Sequence, residues 1–153
     1  MTLSYQDGGL LASCVKNALI VERDIVLEET LTMCWLVDNG ILNLFLDDKR
    51  SSLLENIVAL HLYRKHKESL YYLKGNKVDI DLYLSDSNTA IEVAYSIGDG
   101  DAYNREVFNL VEFNKTSKEV ARLIIVTYEE ERTIKVDDKI IEAVPLKKFL
   151  LNY

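Results

Sequence analysis

Val78-Asp79-Ile80-Asp81-Leu82-Tyr83-Leu84, the polar Ser85-Asp86-Ser87-Asn88, and Thr89-Ala90-Ile91-Glu92-Val93-Ala94-Tyr95 decide how this chain is read. Successive side chains of a strand point to opposite faces. In the first run Asp79, Asp81 and Tyr83 therefore share one face, and Val78, Ile80, Leu82 and Leu84 share the other. In the second run Glu92 and Ala94 point together, opposite to Ile91, Val93 and Tyr95. If the two strands are neighbours and Val78 and Ile91 face the same core, Asp79 and Glu92 are brought together. Asp81 is the rival partner for Glu92.

Upstream, Leu70-Tyr71-Tyr72-Leu73 and the turn Lys74-Gly75-Asn76-Lys77 complete a hairpin with the first strand. Before it, Ser51 or Ser52 can cap a helix, with Glu55 expected in its first turn. Leu54, Ile57, Val58, His61 and Leu62 then follow at helical spacing as one buried stripe. Downstream, a second helix is expected over residues 102–114, with Val107, Leu110, Val111 and, as a further candidate, Phe108 facing inward. Leu123-Ile124-Ile125-Val126 reads as a strand buried on both faces. Residues 133–136 and 140–144 flank Asp137-Asp138-Lys139 as another hairpin, and Pro145 opens a short terminal helix. The order α, β, β, β, α, β, hairpin, helix implies an α/β fold with a mixed central sheet flanked by helices.

The beginning is harder to read. Residues 1–30 form one segment, in which 10–26 carry conflicting helix and strand signals after Gly8-Gly9. Residues 31–37 look like a buried strand stopped by Asp38-Asn39-Gly40. Residues 41–46 suggest one or two helical turns, and Asp47-Asp48-Lys49-Arg50 a charged break. The organisation expected is a domain over 31–153 with its core at 51–153.

The 153 residues suit one domain, and 48% apolar composition is ordinary for a protein with a real core. One proline and six glycines argue against long flexible linkers. A net charge of −7 counts against a free-standing DNA binder, because non-specific binding is mostly phosphate neutralisation by Lys and Arg. Cys14 and Cys34 make no CxxC or Cys/His pattern, so no zinc site is expected. No apolar stretch approaches a membrane span, and Gln6 and Asp7 do not suit a signal peptide, which makes the cytoplasm the expected compartment.

Paired carboxylates on neighbouring strands are costly unless a cation neutralises them. Mg²⁺ takes oxygen ligands and keeps several waters, so Asp79 and Glu92 with a backbone carbonyl suffice as ligands. Glu55 can complete the acidic cluster. Such a metal polarises a phosphodiester and helps to deprotonate water, while a lysine nearby stabilises developing charge.

Residues 53–59 (Leu-Leu-Glu-Asn-Ile-Val-Ala), Lys77-Val78-Asp79-Ile80 and 91–96 (Ile-Glu-Val-Ala-Tyr-Ser) resemble the C-terminal domain of a family of bacterial and archaeal AAA-type ATP-binding proteins. Trp35-Leu36-Val37-Asp38-Asn39-Gly40-Ile41-Leu42 and the closing Ile141-Glu142-Ala143-Val144-Pro145-Leu146 extend the resemblance over roughly 31–153. That domain is classed as PD-(D/E)XK nuclease-like, with a restriction-endonuclease-like core. The resemblance implies Glu55, Asp79 and Glu92 as catalytic residues, with Asp79 and Glu92 holding Mg²⁺. The family commonly reads Glu-Val-Lys on the third strand, and Ala94 stands where that lysine belongs. No GxxxxGK phosphate loop followed by Ser or Thr occurs, so the chain carries no ATP site of that type. It looks like the C-terminal part alone, a fragment or a separate small protein.

Plainer readings stand beside these. Glu55 can be a capping acid, Asp79 a solvent-facing strand residue, Glu92 the exposed face of a half-buried strand, His61 a satisfied core or boundary histidine, and Glu129-Glu130-Glu131 a solvated turn. Lys115, Lys118 and Arg122 are candidate phosphate ligands or ordinary surface cations. The functional expectation is a catalytically weak or inactive nuclease-like module acting in interaction or regulation. An ATPase domain or a second copy of the chain would be its partner, with DNA left open and no membrane. The alternatives are a Mg²⁺-dependent DNA endonuclease or phosphodiesterase, and an assembly domain whose acids have no chemical role.

Overall fold

The structure is a computed structural model. It describes residues 12–21, 24–36, 39–43, 50–74, 78–98, 100–117 and 120–153, with the backbone alone through 12–36. The elements are β1 (Ala12–Val21), β2 (Asp24–Leu36), α1 (Asn39–Asn43), α2 (Arg50–His66), β3 (Leu70–Lys74), β4 (Asp79–Leu84), β5 (Thr89–Val93), α3 (Asp101–Thr116), β6 (Arg122–Thr127), β7 (Arg132–Val136), β8 (Lys139–Pro145) and α4 (Leu146–Asn152). The expected α/β class and the order from α2 to α4 are both present. An open mixed sheet runs β2-β1-β3-β4-β5-β6-β8-β7. Its six strands β3 to β8 carry the core, and the antiparallel pair β1–β2 extends it beyond β3.

Direction changes within the sheet follow from the connections. The polar turn 85–88 lets β4 and β5 pair antiparallel, whereas the crossover through α3 makes β5 and β6 parallel. Strand β8 is parallel to β6, and the two-residue turn Asp137-Asp138 returns from β7. Asn88 and Asp137 take positive φ in these turns, a conformation that Asn and Asp tolerate better than other side chains.

The two faces of the sheet carry separate cores. Leu54, Val58 and Leu62 of α2, with Phe149 of α4, cover Leu82, Ile91, Ile124 and Val126 on one side. On the other, Val107, Leu110 and Phe113 of α3 cover Tyr83, Ala90, Leu123 and Ile125. Alternate residues of β6 thus enter opposite cores, which is why that strand reads as a continuous apolar run.

Several expectations are corrected. The ambiguous stretch 10–26 is strand from Ala12 to Val21, and its irregular pattern matches a register shift between Lys16 and Asn17. That register sets Cys14 opposite Cys34, although the two are far apart in sequence. The strand expected at 31–37 starts earlier, at Asp24. Its expected burial, the opening Gly8-Gly9, the charged residues 47–49, the turn residues 75–77 and Lys118 lie outside the described residues. Asn39 and Gly40 begin a helix instead of a turn, because Asn39 donates to the Leu53 carbonyl at 3.1 Å and accepts from buried Asn56 at 2.6 Å.

Phe108 is 55% exposed, so α3 buries Phe113 in its place. In the run read as a solvated turn, Glu129 and Glu131 are exposed as expected, whereas Glu130 is half-buried. Its Oε1 accepts from the Ser96 hydroxyl and from the Ile97 N–H at 3.0 Å, and so pins the loop after β5. His61 is half-buried, at the boundary of the core, with a hydrogen bond to the Tyr153 backbone, and its Nε2 is buried without a partner. Among the described residues, no helix is long and apolar enough to cross a membrane.

Candidate metal centre

The turn between β4 and β5 sets the geometry of the acids. Leu84 pairs with Thr89 and Leu82 with Ile91, so one further step brings Asp81 level with Glu92, on the face that α3 covers. Ladder pairing stops there because Asp81 Oδ2 accepts the Val93 N–H at 3.0 Å, taking a backbone donor that a strand would otherwise use. Glu106 arrives from α3, on the helical face that carries Leu110 and Phe113. Carboxylate oxygens of Asp81, Glu92 and Glu106 all lie within 4.8 Å of one another.

Burial makes this triad unusual. Glu92 is 1% exposed and Glu106 is 3% exposed, whereas unpaired charges are rarely taken out of water because desolvation is so costly. Glu92 hydrogen-bonds to Asp81, Glu106 and Asn109, while its Oε1 has no hydrogen-bond partner. Arg105, largely exposed, donates to Glu106 Oε1 through Nη2 at 2.6 Å and Nε at 3.0 Å. Its charge is also felt by Asp81.

Every carboxyl of the cluster resists ionisation. Burial, then the neighbouring charges of Asp81 and Glu106, holds Glu92 well above the usual carboxylate range. Burial raises Asp81 and Glu106 as well. Glu55 is pushed up to about 7, chiefly by burial and then by the charges of Asp81 and Glu106. The Tyr72 hydroxyl is pushed up to about 12 by burial and by Asp79, to which it is hydrogen-bonded.

The residues singled out in the sequence divide accordingly. Glu92 is in the triad, and it is not the exposed face of a half-buried strand. Asp79 lies outside the triad: it is exposed at the start of β4, level with Lys74 of β3 and bonded to Tyr72. Asp81, the rival, takes the place beside Glu92. Glu55 borders the cluster electrostatically, and it lies beyond the first turn of α2, which contains no acid, so it is not a capping residue. Glu106 was not anticipated, although an acid in register with Leu110 and Phe113 on an apolar helical stripe was a legible signal. Of the candidate phosphate ligands, Arg122 is engaged by Glu142 at 3.0 Å and stacked on Tyr153, and Lys115 meets Glu112 at 3.4 Å.

The triad can hold a metal ion. A cation about 2.1 Å from each oxygen keeps its ligands within roughly twice that distance of one another, so small side-chain adjustments close the site. Metal would also supply the partner that Glu92 Oε1 lacks.

The raised carboxyls predict an inverted pH dependence of stability. Between the ordinary value and the raised one, the folded protein binds more protons than the unfolded chain, so stability falls as pH rises. Glu55 alone, raised to about 7, corresponds to a loss on the order of 3 kcal/mol between about pH 5 and pH 8. Urea unfolding with chelator at these two pH values should show the lower midpoint at the higher pH. A midpoint that rises with pH would contradict the burial of these acids.

Comparison with known proteins yields no matching family model, no matching curated protein and no matching solved structure.

Proposed function

We propose that this chain is a nuclease-like module that binds a divalent cation, Mg²⁺ in the cell, with Asp81, Glu92 and Glu106 as ligands. On this reading it turns over phosphodiesters weakly or not at all and serves an interaction or regulatory role, with an ATPase domain or a second copy of itself as partner. The observation that carries the proposal is the buried Glu92 carboxyl, which offers an oxygen within 4.8 Å of oxygens of Asp81 and Glu106 and whose Oε1 has no hydrogen-bond partner. Oxygen-only ligands favour a hard cation over zinc or copper. The order α2-β3-β4-β5-α3-β6 supports the resemblance to nuclease-like domains, with Asp81 in the role first assigned to Asp79.

Weak turnover follows from what surrounds the metal. Ala94 is buried in the apolar core under α3 and brings neither charge nor donor to the site. A phosphodiester brings negative charge up to a cluster of carboxyls, and the chain as a whole carries −7. The phosphodiesterase reading stays in play through Arg105, a cation beside the triad that can stabilise developing charge in place of the lysine.

Isothermal titration of the full chain with Mn²⁺ and Mg²⁺ tests the metal site. Saturable heat with a stoichiometry near one is expected, and a flat titration with both ions would remove the proposal. Incubation with plasmid and Mn²⁺ separates the two readings. Neither the natural chain nor Ala94→Lys should cleave, because a lysine added in the α3 core overpacks it at about 1–3 kcal/mol and leaves the acidic field intact. Metal-dependent cleavage by the natural chain that disappears in Glu92→Ala would establish the phosphodiesterase instead.

A further inference from the structure

The charge arrangement around the triad points to one residue with two alternative jobs. The charges of Asp81 and Glu106 act on both Glu55 and Glu92, and oxygens of Asp81, Glu92 and Glu106 lie within 4.8 Å of one another. Arg105 is the cation set against them: it feels Glu106, Asp81 and Glu92 together. Both of its bonds fall on the same oxygen, Glu106 Oε1. A metal ion drawn to the triad needs Glu106, and a doubly charged ion in that space repels a guanidinium held against its ligand. Arg105 can leave at little cost, because 71% of its side chain is exposed. Glu92 cannot, being in the middle of a fully buried strand.

We propose that Arg105 is the resident counter-ion of the acidic centre, a latch that a divalent cation must displace from Glu106. The inference rests on the metal-binding reading above. It adds a device to it: the arginine holds the metal-free site together, weakens metal affinity, and swings to the mouth of the site when metal enters. A metal ion with water in its remaining positions and a freed guanidinium beside it then present two positive groups to an incoming anion.

Two measurements on the full chain test this. In titrations with Mn²⁺, Arg105→Gln should bind about fivefold more tightly than the natural protein, the gain expected when a half-exposed competing ion pair is removed. Arg105→Lys, which keeps the charge but loses the two-pronged bond, should fall between them. The second measurement needs no variant. The Arg105 Nε–H resonance should be slow to exchange with solvent in chelator and lose that protection when Mg²⁺ saturates the site. If the natural protein binds metal while Arg105→Gln binds equally or more weakly, and Nε–H stays protected, the latch is wrong and the metal site stands. If neither protein gives heat, both ideas fall together. Heat from Arg105→Gln alone would mark the latch as strong enough to close the site.

Discussion

Glu92→Gln should abolish the calorimetric response to Mn²⁺, weakening binding by at least about a hundredfold, while making the metal-free protein more stable. The glutamine has nearly the same volume, so β5 keeps its packing against α3. What changes is charge. The natural carboxyl is buried beside Asp81 and Glu106, which with burial hold it well above the usual carboxylate range, so at alkaline pH folding costs free energy either to ionise it there or to keep it protonated. Removing it should raise unfolding free energy by roughly 1–3 kcal/mol at about pH 8 in chelator. Metal should then shift the melting temperature of the natural protein and leave that of the variant in place. Undiminished Mn²⁺ affinity in Glu92→Gln would show that the ion, if bound, sits elsewhere. A variant less stable than its parent would show that the bonds this carboxyl makes in the folded state outweigh the cost of burying it.

Phe113→Ala should cost about 3–5 kcal/mol of stability. Phe113 is fully buried, two helical turns beyond Glu106, with its ring edge-on to Tyr83 of β4 at 5.9 Å. It fastens α3 to the sheet directly under the acids, so the cavity left by its removal should loosen Glu106 and Asn109 as well. Equilibrium urea unfolding reads the first effect, and Mn²⁺ titration of the fraction that remains folded reads the second. A loss below about 1 kcal/mol would mean that α3 does not press on the sheet through this ring.

Much of the frame was legible without coordinates. Alternation in 89–94 and the doubly buried run of β6 each reflect a local period that survives folding because each face must meet one kind of environment. By contrast, 78–84 breaks step at an irregularity opposite β3, so that Val78 and Ile80 enter the core under α3 and Leu82 and Leu84 the core under α2 with Ile91. In α2, Asn56, Ala59 and Leu60 are buried beyond the expected stripe. Even the choice between the two aspartates was open to counting. A four-residue turn over 85–88 pairs Leu84 with Thr89, and stepping back three places brings Asp81, not Asp79, to Glu92. The resemblance to a nuclease-like family drew the weight to Asp79 instead. Glu106 was passed over for a different reason, although its register with Leu110 and Phe113 was legible. A lone acid on an amphipathic helix is normally at the solvent edge, and only the docking of α3 over β4 and β5 turns it inward.

From residue order alone come the α/β class, the succession of elements from α2 to α4, and the placement of Glu92 on a strand beside an acid-bearing neighbour. Those depend on interactions between residues close in the chain. The tertiary structure decided that β5 runs through the middle of the sheet under α3, that three carboxylates from three elements meet with an oxygen left unpartnered, and that Arg105 stands against them. It also decided that Cys14 and Cys34 share a register. These depend on which distant surfaces pack together and exclude water, and desolvation is a property of the assembled fold, not of any segment in it.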